Sequence, residues 1–170
     1  GFYGPLGAWI CIWGALAMIT SAPFDDWWHN AYGLDVKIIS PPHVLLALGG
    51  TAIRVGSLIL VLAALNRAAK EQRQGLAVLF LFIVSGMLMG NSVVTMEHNF
   101  PNQQHSNLFY QVSALVYPMA LVAAARASTI RWGATIAAAL YMGFLCLMVW
   151  ILPLFPAEPK LAPILNPVDH

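Results

Sequence analysis

Five apolar stretches, approximately residues 6–22, 43–66, 75–96, 108–125 and 132–152, leave only short polar connections between them. Crossing the hydrocarbon core of a bilayer takes about 20 apolar residues in an α-helix. Water is absent there, so backbone N–H and C=O groups must pair within the segment, and a helix does this for every residue. The pattern predicts an all-α integral membrane bundle of about five transmembrane helices. No repeat, low-complexity tract or soluble segment interrupts it, so residues 1–170 read as a single transmembrane helical domain. Charged residues make up 9% of the chain and hydrophobic ones 59%, against about a quarter charged in soluble domains. The net charge of +1 is uninformative, and nothing in the sequence resembles a basic nucleic-acid patch. Cys11 and Cys146 both lie in apolar stretches without CxxC spacing, which indicates neither a disulfide framework nor a zinc knuckle. The chain opens on GFYGPLG without an initiator Met and stops at NPVDH, and is expected to be processed or incomplete at its ends.

Basic residues orient the bundle. The connection NRAAKEQRQG holds Arg67, Lys70 and Arg73, and RASTIR holds Arg126 and Arg131. Five of the eight basic residues therefore share one side, which the positive-inside rule assigns to the cytoplasm. The N-terminus is then inside and the C-terminus outside, in what is expected to be a bacterial inner membrane. All five histidines (His29, His43, His98, His105 and His170) and six of the seven acids fall on the other side. The histidine-rich loops are accordingly expected to face the periplasm or exterior. Acids contribute little to topology, so the positive-inside rule does not itself require their enrichment there.

The densest part of that outer set is FDDWWHNAYGLDVKIISPPH, residues 24–43. Asp25 precedes His29 by four residues and Asp26 precedes it by three, so on a helical turn either carboxylate shares a face with the imidazole. Such a carboxylate either ligates the same metal or holds the ring nitrogen from outside the coordination sphere. Thirteen residues then separate His29 from His43, enough for the chain to fold back. Pro41 and Pro42 suit the first turn of a helix, where a missing N–H costs little, and they direct His43. Alternatively, Trp27 and Trp28 form an interfacial aromatic belt whose polar neighbours are simply solvated. Asp26 and Trp28 then have supporting or structural roles.

The third connection, GNSVVTMEHNFPNQQHSNLFY, offers a possible second metal site in Asn91, Glu97, His98 and His105. Nitrogen and oxygen donors of this kind suit Cu(II) or Zn(II), and no thiolate is at hand. A hydrogen-bonded loop cap is the competing structural role. Arg54 lies eleven residues beyond His43, about 16 Å along a helix and near mid-membrane. A charge there needs a partner: another subunit, a lipid headgroup reached by snorkelling, or a cofactor carboxylate. GMLMG at Gly86 and Gly90, and the pair Ala52 and Gly56, have the small-xxx-small spacing that favours close helix packing.

The stretch carrying Asp25, Trp28, His29, Asp35, Pro41 and His43 resembles one wall of a copper site in the C subunit of copper membrane monooxygenases, the particulate methane and ammonia monooxygenase family. That subunit carries Asp, three residues, a His preceded by Trp, twelve residues, then a His shortly after Pro; here one extra residue precedes His43. The resemblance covers about twenty residues of the first loop, with a looser echo in the third, where Asn91 fits the family's helical Asn but Thr95 takes the position of its His. It implies that Asp25, His29 and His43 are copper ligands on the outer side of the membrane. It also implies that the chain is a metal-binding subunit of a monooxygenase-like complex, acting with other membrane subunits on a small apolar molecule. Zinc remains the alternative metal on the residues alone. The alternative function is a non-catalytic accessory subunit of a respiratory, photosynthetic or transport complex. Bis-histidine haem is disfavoured because these histidines stand at span ends rather than within facing helices.

Overall fold

The computed structural model describes residues 4–33, 39–94 and 107–155. They form five α-helices, α1 Leu6–Tyr32, α2 Pro41–Arg67, α3 Lys70–Val94, α4 Asn107–Ala127 and α5 Gly133–Ile151, closed by a 3-10 turn at Leu152–Leu154. No strand occurs among the described residues. Four of the helices, all but α4, are long and apolar enough to cross a membrane. The 21-residue α4 carries Gln111 and Pro118, which dilute its apolar character. Outward faces are apolar as well: Trp13, Ile19, Phe82, Val149 and Trp150 are each more than 60% exposed. A surface of this kind is compatible with contact with lipid rather than water.

Two helices run past the predicted spans. α1 continues ten residues beyond position 22, through Pro23, so Asp25 and His29 sit on its last two turns and not in a loop. Pro23 removes only one ladder hydrogen bond. Beyond it Phe24 stacks on Trp27 at 6.0 Å and Trp28 packs on Tyr32 at 4.5 Å, helical spacings that reward continuation. Gly33, at φ 84, ends the helix with its amide donating to the His29 carbonyl at 2.9 Å, a conformation that glycine adopts without a Cβ penalty. α3 likewise begins at Lys70 rather than 75, leaving only Ala68 and Ala69 between it and α2.

The α1–α2 pair is held by small residues recurring every seven positions. Gly7, Gly14 and Ser21 are buried on α1, and Pro42, Gly49 and Gly56 on α2. Gly7 faces Gly56 and Gly14 faces Gly49, so closely that a Cβ on Gly14 would stand 2.7 Å from the Gly49 carbonyl oxygen. Ser21 and Pro42 occupy the next step of the same antiparallel register. A seven-residue repeat keeps one seam in contact along both helices, and the absence of side chains lets the backbones touch and gain dispersion contacts. Cys11 adds a weak Sγ contact to the Ile53 carbonyl at 3.5 Å.

α3 is the central helix, meeting α2, α4 and α5. The buried core between them is Val61, Phe80, Leu81, Val84, Ala124 and Ala137. Tyr141 of α5 packs its ring against Tyr117 of α4, with centroids 6.1 Å apart. The expected packing role of the two small-residue pairs divides. Gly56 does contact Gly7, but Gly86 has no neighbour within 4 Å, and the space over Gly90 is filled by the Arg54 guanidinium, whose Nη1 lies 3.0 Å from where a Cβ would be. An outward-facing glycine meets no helix, whatever its spacing.

Candidate metal centre

The hairpin register sets the geometry at the end where α1 and α2 are connected. Ser21 lies on the buried seam of α1, and Asp25 and His29 follow at four-residue steps, which keeps all three on one face. Pro42 ends the seam on α2, and His43 follows it directly. The Asp25 carboxylate thereby stands beside both imidazoles: Oδ2 lies 3.5 Å from His29 Nε2 and Oδ1 lies 3.7 Å from His43 Nε2. Both separations exceed an ordinary hydrogen bond. Asp25 Oδ1 is buried and accepts no hydrogen bond.

Each ring is held from its other nitrogen. His29 Nδ1 lies 3.1 Å from the carbonyl of Gly33, and His43 Nδ1 lies 2.9 Å from Ser40 Oγ. A carbonyl oxygen only accepts, so Nδ1 of His29 carries the proton and donates. In the neutral ring Nε2 then presents a lone pair to a carboxylate oxygen, acceptor against acceptor. Such a pair is attractive only with positive charge between or upon it, either a proton on Nε2 or a bound cation. Donation from Nδ1 to a backbone carbonyl is also how metal-ligating histidines are commonly oriented.

The donor set fits an ion in chemistry and nearly in spacing. Ligands about 2.0–2.2 Å from a tetrahedral ion stand about 3.4 Å apart, close to the 3.5 and 3.7 Å found here. Among the described residues, however, no group of three His, Cys, Asp or Glu side chains is arranged to hold an ion as it stands. The two rings address different oxygens of one carboxylate, so a shared ion requires the Nε2 atoms to turn toward a common point. Beside them a cavity of about 260 Å³ is lined by Met18, Ala22 and Leu46 on its apolar side and by Asp25 and His43 on its polar side.

The other residues singled out from sequence separate. Asp26 points away, exposed, with Oδ2 3.4 Å from Asn30 Nδ2. Trp28 belongs to an aromatic cluster with Phe24 and Tyr32. Arg54 lies at the midpoint of α2, half-buried between Gly50 and Gly90, with no hydrogen bond or ion pair among the described residues. Asn91 lies near the end of α3 and is half-buried. Glu97, His98 and His105 lie outside the described residues. Reading the sequence did not identify Ser40 and Gly33 as the groups that hold the rings, nor Met18 as a cavity wall. A serine before Pro-Pro and a glycine after an aromatic helix end were the available signals for the first two. No protein family matches the chain, and comparison with curated proteins and with solved structures returns no match.

Proposed function

We propose that the chain is a copper-binding integral membrane subunit of a monooxygenase-like complex, its metal centre at the extracytoplasmic end of the α1–α2 hairpin. One observation carries the proposal: a buried carboxylate oxygen without a hydrogen bond faces one imidazole while its partner oxygen faces another, and both rings are tethered through Nδ1. Asp25, His29 and His43 would hold the ion. The choice of copper over zinc, and of oxygenase chemistry, follows the resemblance of the Asp25–His29–His43 motif. Copper in such a setting supplies the one-electron chemistry that activates dioxygen. The protein's own part is to orient the rings from Ser40 and Gly33 and to offer an apolar wall of Met18, Ala22 and Leu46 to a small molecule arriving from the bilayer.

In this assignment all five helices cross the membrane, with the basic α2–α3 and α4–α5 connections cytoplasmic. A second reading, a non-catalytic accessory subunit of a larger assembly, is favoured by Arg54, whose mid-span guanidinium meets no carboxylate among the described residues and would suit one from a neighbouring subunit. Both readings include partner subunits. Metal analysis separates them. Purified protein is expected to contain copper near one equivalent per chain, with nitrogen hyperfine structure in the Cu(II) paramagnetic resonance spectrum. A preparation that is copper-free and stays so after copper addition would rule out the first reading. Ser40→Ala is expected to weaken copper binding about tenfold, the low end for an orienting group. The check is competitive copper titration; unchanged affinity would remove Ser40 from the site.

A further inference from the structure

The far end of α2 from His43 gathers positive charge. Arg67 ends α2, and Lys70 and Arg73 occupy the first turn of α3. The α4–α5 turn lies alongside: Ser128 is buried and its Oγ accepts from the Ile130 amide at 3.3 Å, while Thr129 takes the left-handed conformation at φ 60. A β-branched residue rarely adopts that conformation, so the turn is held in shape by its surroundings. Between turn and helix is a groove of about 480 Å³, with Lys70 and Arg73 on its polar rim and Ala77, Ile130 and Ile136 along its walls. Among the described residues neither Lys70 nor Arg73 has an ion pair or hydrogen bond, and the acid nearest in sequence is Glu71.

We infer that this groove binds an anionic phospholipid, with the phosphate on Lys70 and Arg73 and the start of an acyl chain along Ala77 and Ile136. Charge complementarity supplies the first half. Two cations in the first turn of a helix work against its dipole, and a bound anion satisfies both. The apolar walls supply the second half, because a free phosphate leaves them in contact with nothing. Position agrees: Trp132, with the Arg131 guanidinium 5.5 Å from its ring centroid, marks headgroup depth at this end of the bundle. Basic pockets between helix ends on the cytoplasmic side are where anionic headgroups concentrate. The inference is independent of any metal at the opposite end.

The test uses full-length protein in neutral detergent, titrated with phosphatidylglycerol or phosphatidylcholine and read by native mass spectrometry. Phosphatidylglycerol is expected to be retained in preference. Lys70→Gln with Arg73→Gln is expected to weaken it by about 25-fold, at about fivefold per cation. Arg126→Gln, at the same end but off the groove, is expected to change it less than about twofold. Ile136→Trp, which fills the apolar wall and keeps both cations, is expected to weaken phosphatidylglycerol about tenfold or more; an unchanged affinity would overturn the site even where the double variant fails to fold. Equal retention of the two lipids would overturn it too, as would an Arg126→Gln effect equal to that of the double variant. Complete displacement by soluble glycerophosphate would identify a free-phosphate site and overturn the lipid assignment.

Discussion

Gly49→Leu is expected to abolish tight copper binding without altering a single donor atom. A Cβ at position 49 would stand 2.8 Å from the Gly14 carbonyl oxygen, 2.8 Å from Met18 Cγ and 3.0 Å from the Met18 amide nitrogen. Two of these atoms are backbone and cannot rotate away, so the helices must separate or slide. Forcing extra methylenes into a closed contact costs about 1–3 kcal/mol, and backbone neighbours put this site at the upper end. Asp25 belongs to α1 and His43 to α2, so any separation opens the 3.7 Å gap between them. Copper affinity is expected to fall by about 100-fold, the scale of losing an orienting shell, while helicity measured by circular dichroism stays nearly constant. Gly75→Leu provides the control, because nothing lies within 4 Å of that glycine. If Gly49→Leu binds copper as tightly as the parent protein, the hairpin seam does not position the site.

The second large effect separates two adjacent carboxylates. Asp25→Ala is expected to lower copper affinity by about 100-fold or more, since losing a donor costs more than the roughly 10- to 100-fold of losing an orienting group. It removes the group that stands between His29 and His43. Asp26→Ala is expected to leave affinity within about twofold, since Asp26 is exposed and its carboxylate faces Asn30. His43→Ala is expected to match Asp25→Ala, and the double variant to lose little more, because donors to one ion act as a unit. Copper per chain after dialysis against a chelator, together with the Cu(II) spectrum, reads all four variants. Equal effects at Asp25 and Asp26 would mean that copper binds somewhere other than this face of α1.

Part of this arrangement was legible in the chain. The four-residue step from Asp25 to His29 follows from helical periodicity alone, and so does their common face with Ser21. Asp26 satisfied a similar rule at three residues, and nothing local chose between them. That choice came from the direction in which Ser21 and Gly14 face α2. The seven-residue spacing of Gly7, Gly14 and Ser21 was itself visible, as was its counterpart in Pro42, Gly49 and Gly56. Neither run announces its partner, because small residues recur often in apolar helices and only contact makes the spacing meaningful. Gly86 and Gly90 illustrate the point. They have the right spacing, yet one meets nothing and the other shelters Arg54.

Helix ends were the other feature that local patterning misjudged. Hydropathy marks where lipid contact stops, whereas the helix stops where its hydrogen-bond ladder does. α1 accordingly continues through Pro23 to Gly33, and α3 starts at Lys70 within a segment that reads as a charged loop. The amino-acid sequence by itself determined an all-helical chain with apolar faces, because hydrocarbon tolerates little else from a single unpaired segment. Only the tertiary structure decided which carboxylate meets which imidazole, and which cations line a groove. Those depend on the register and rotation of one helix against its neighbour, which the close Gly7–Gly56 and Gly14–Gly49 contacts set and which no single helix carries in its own periodicity.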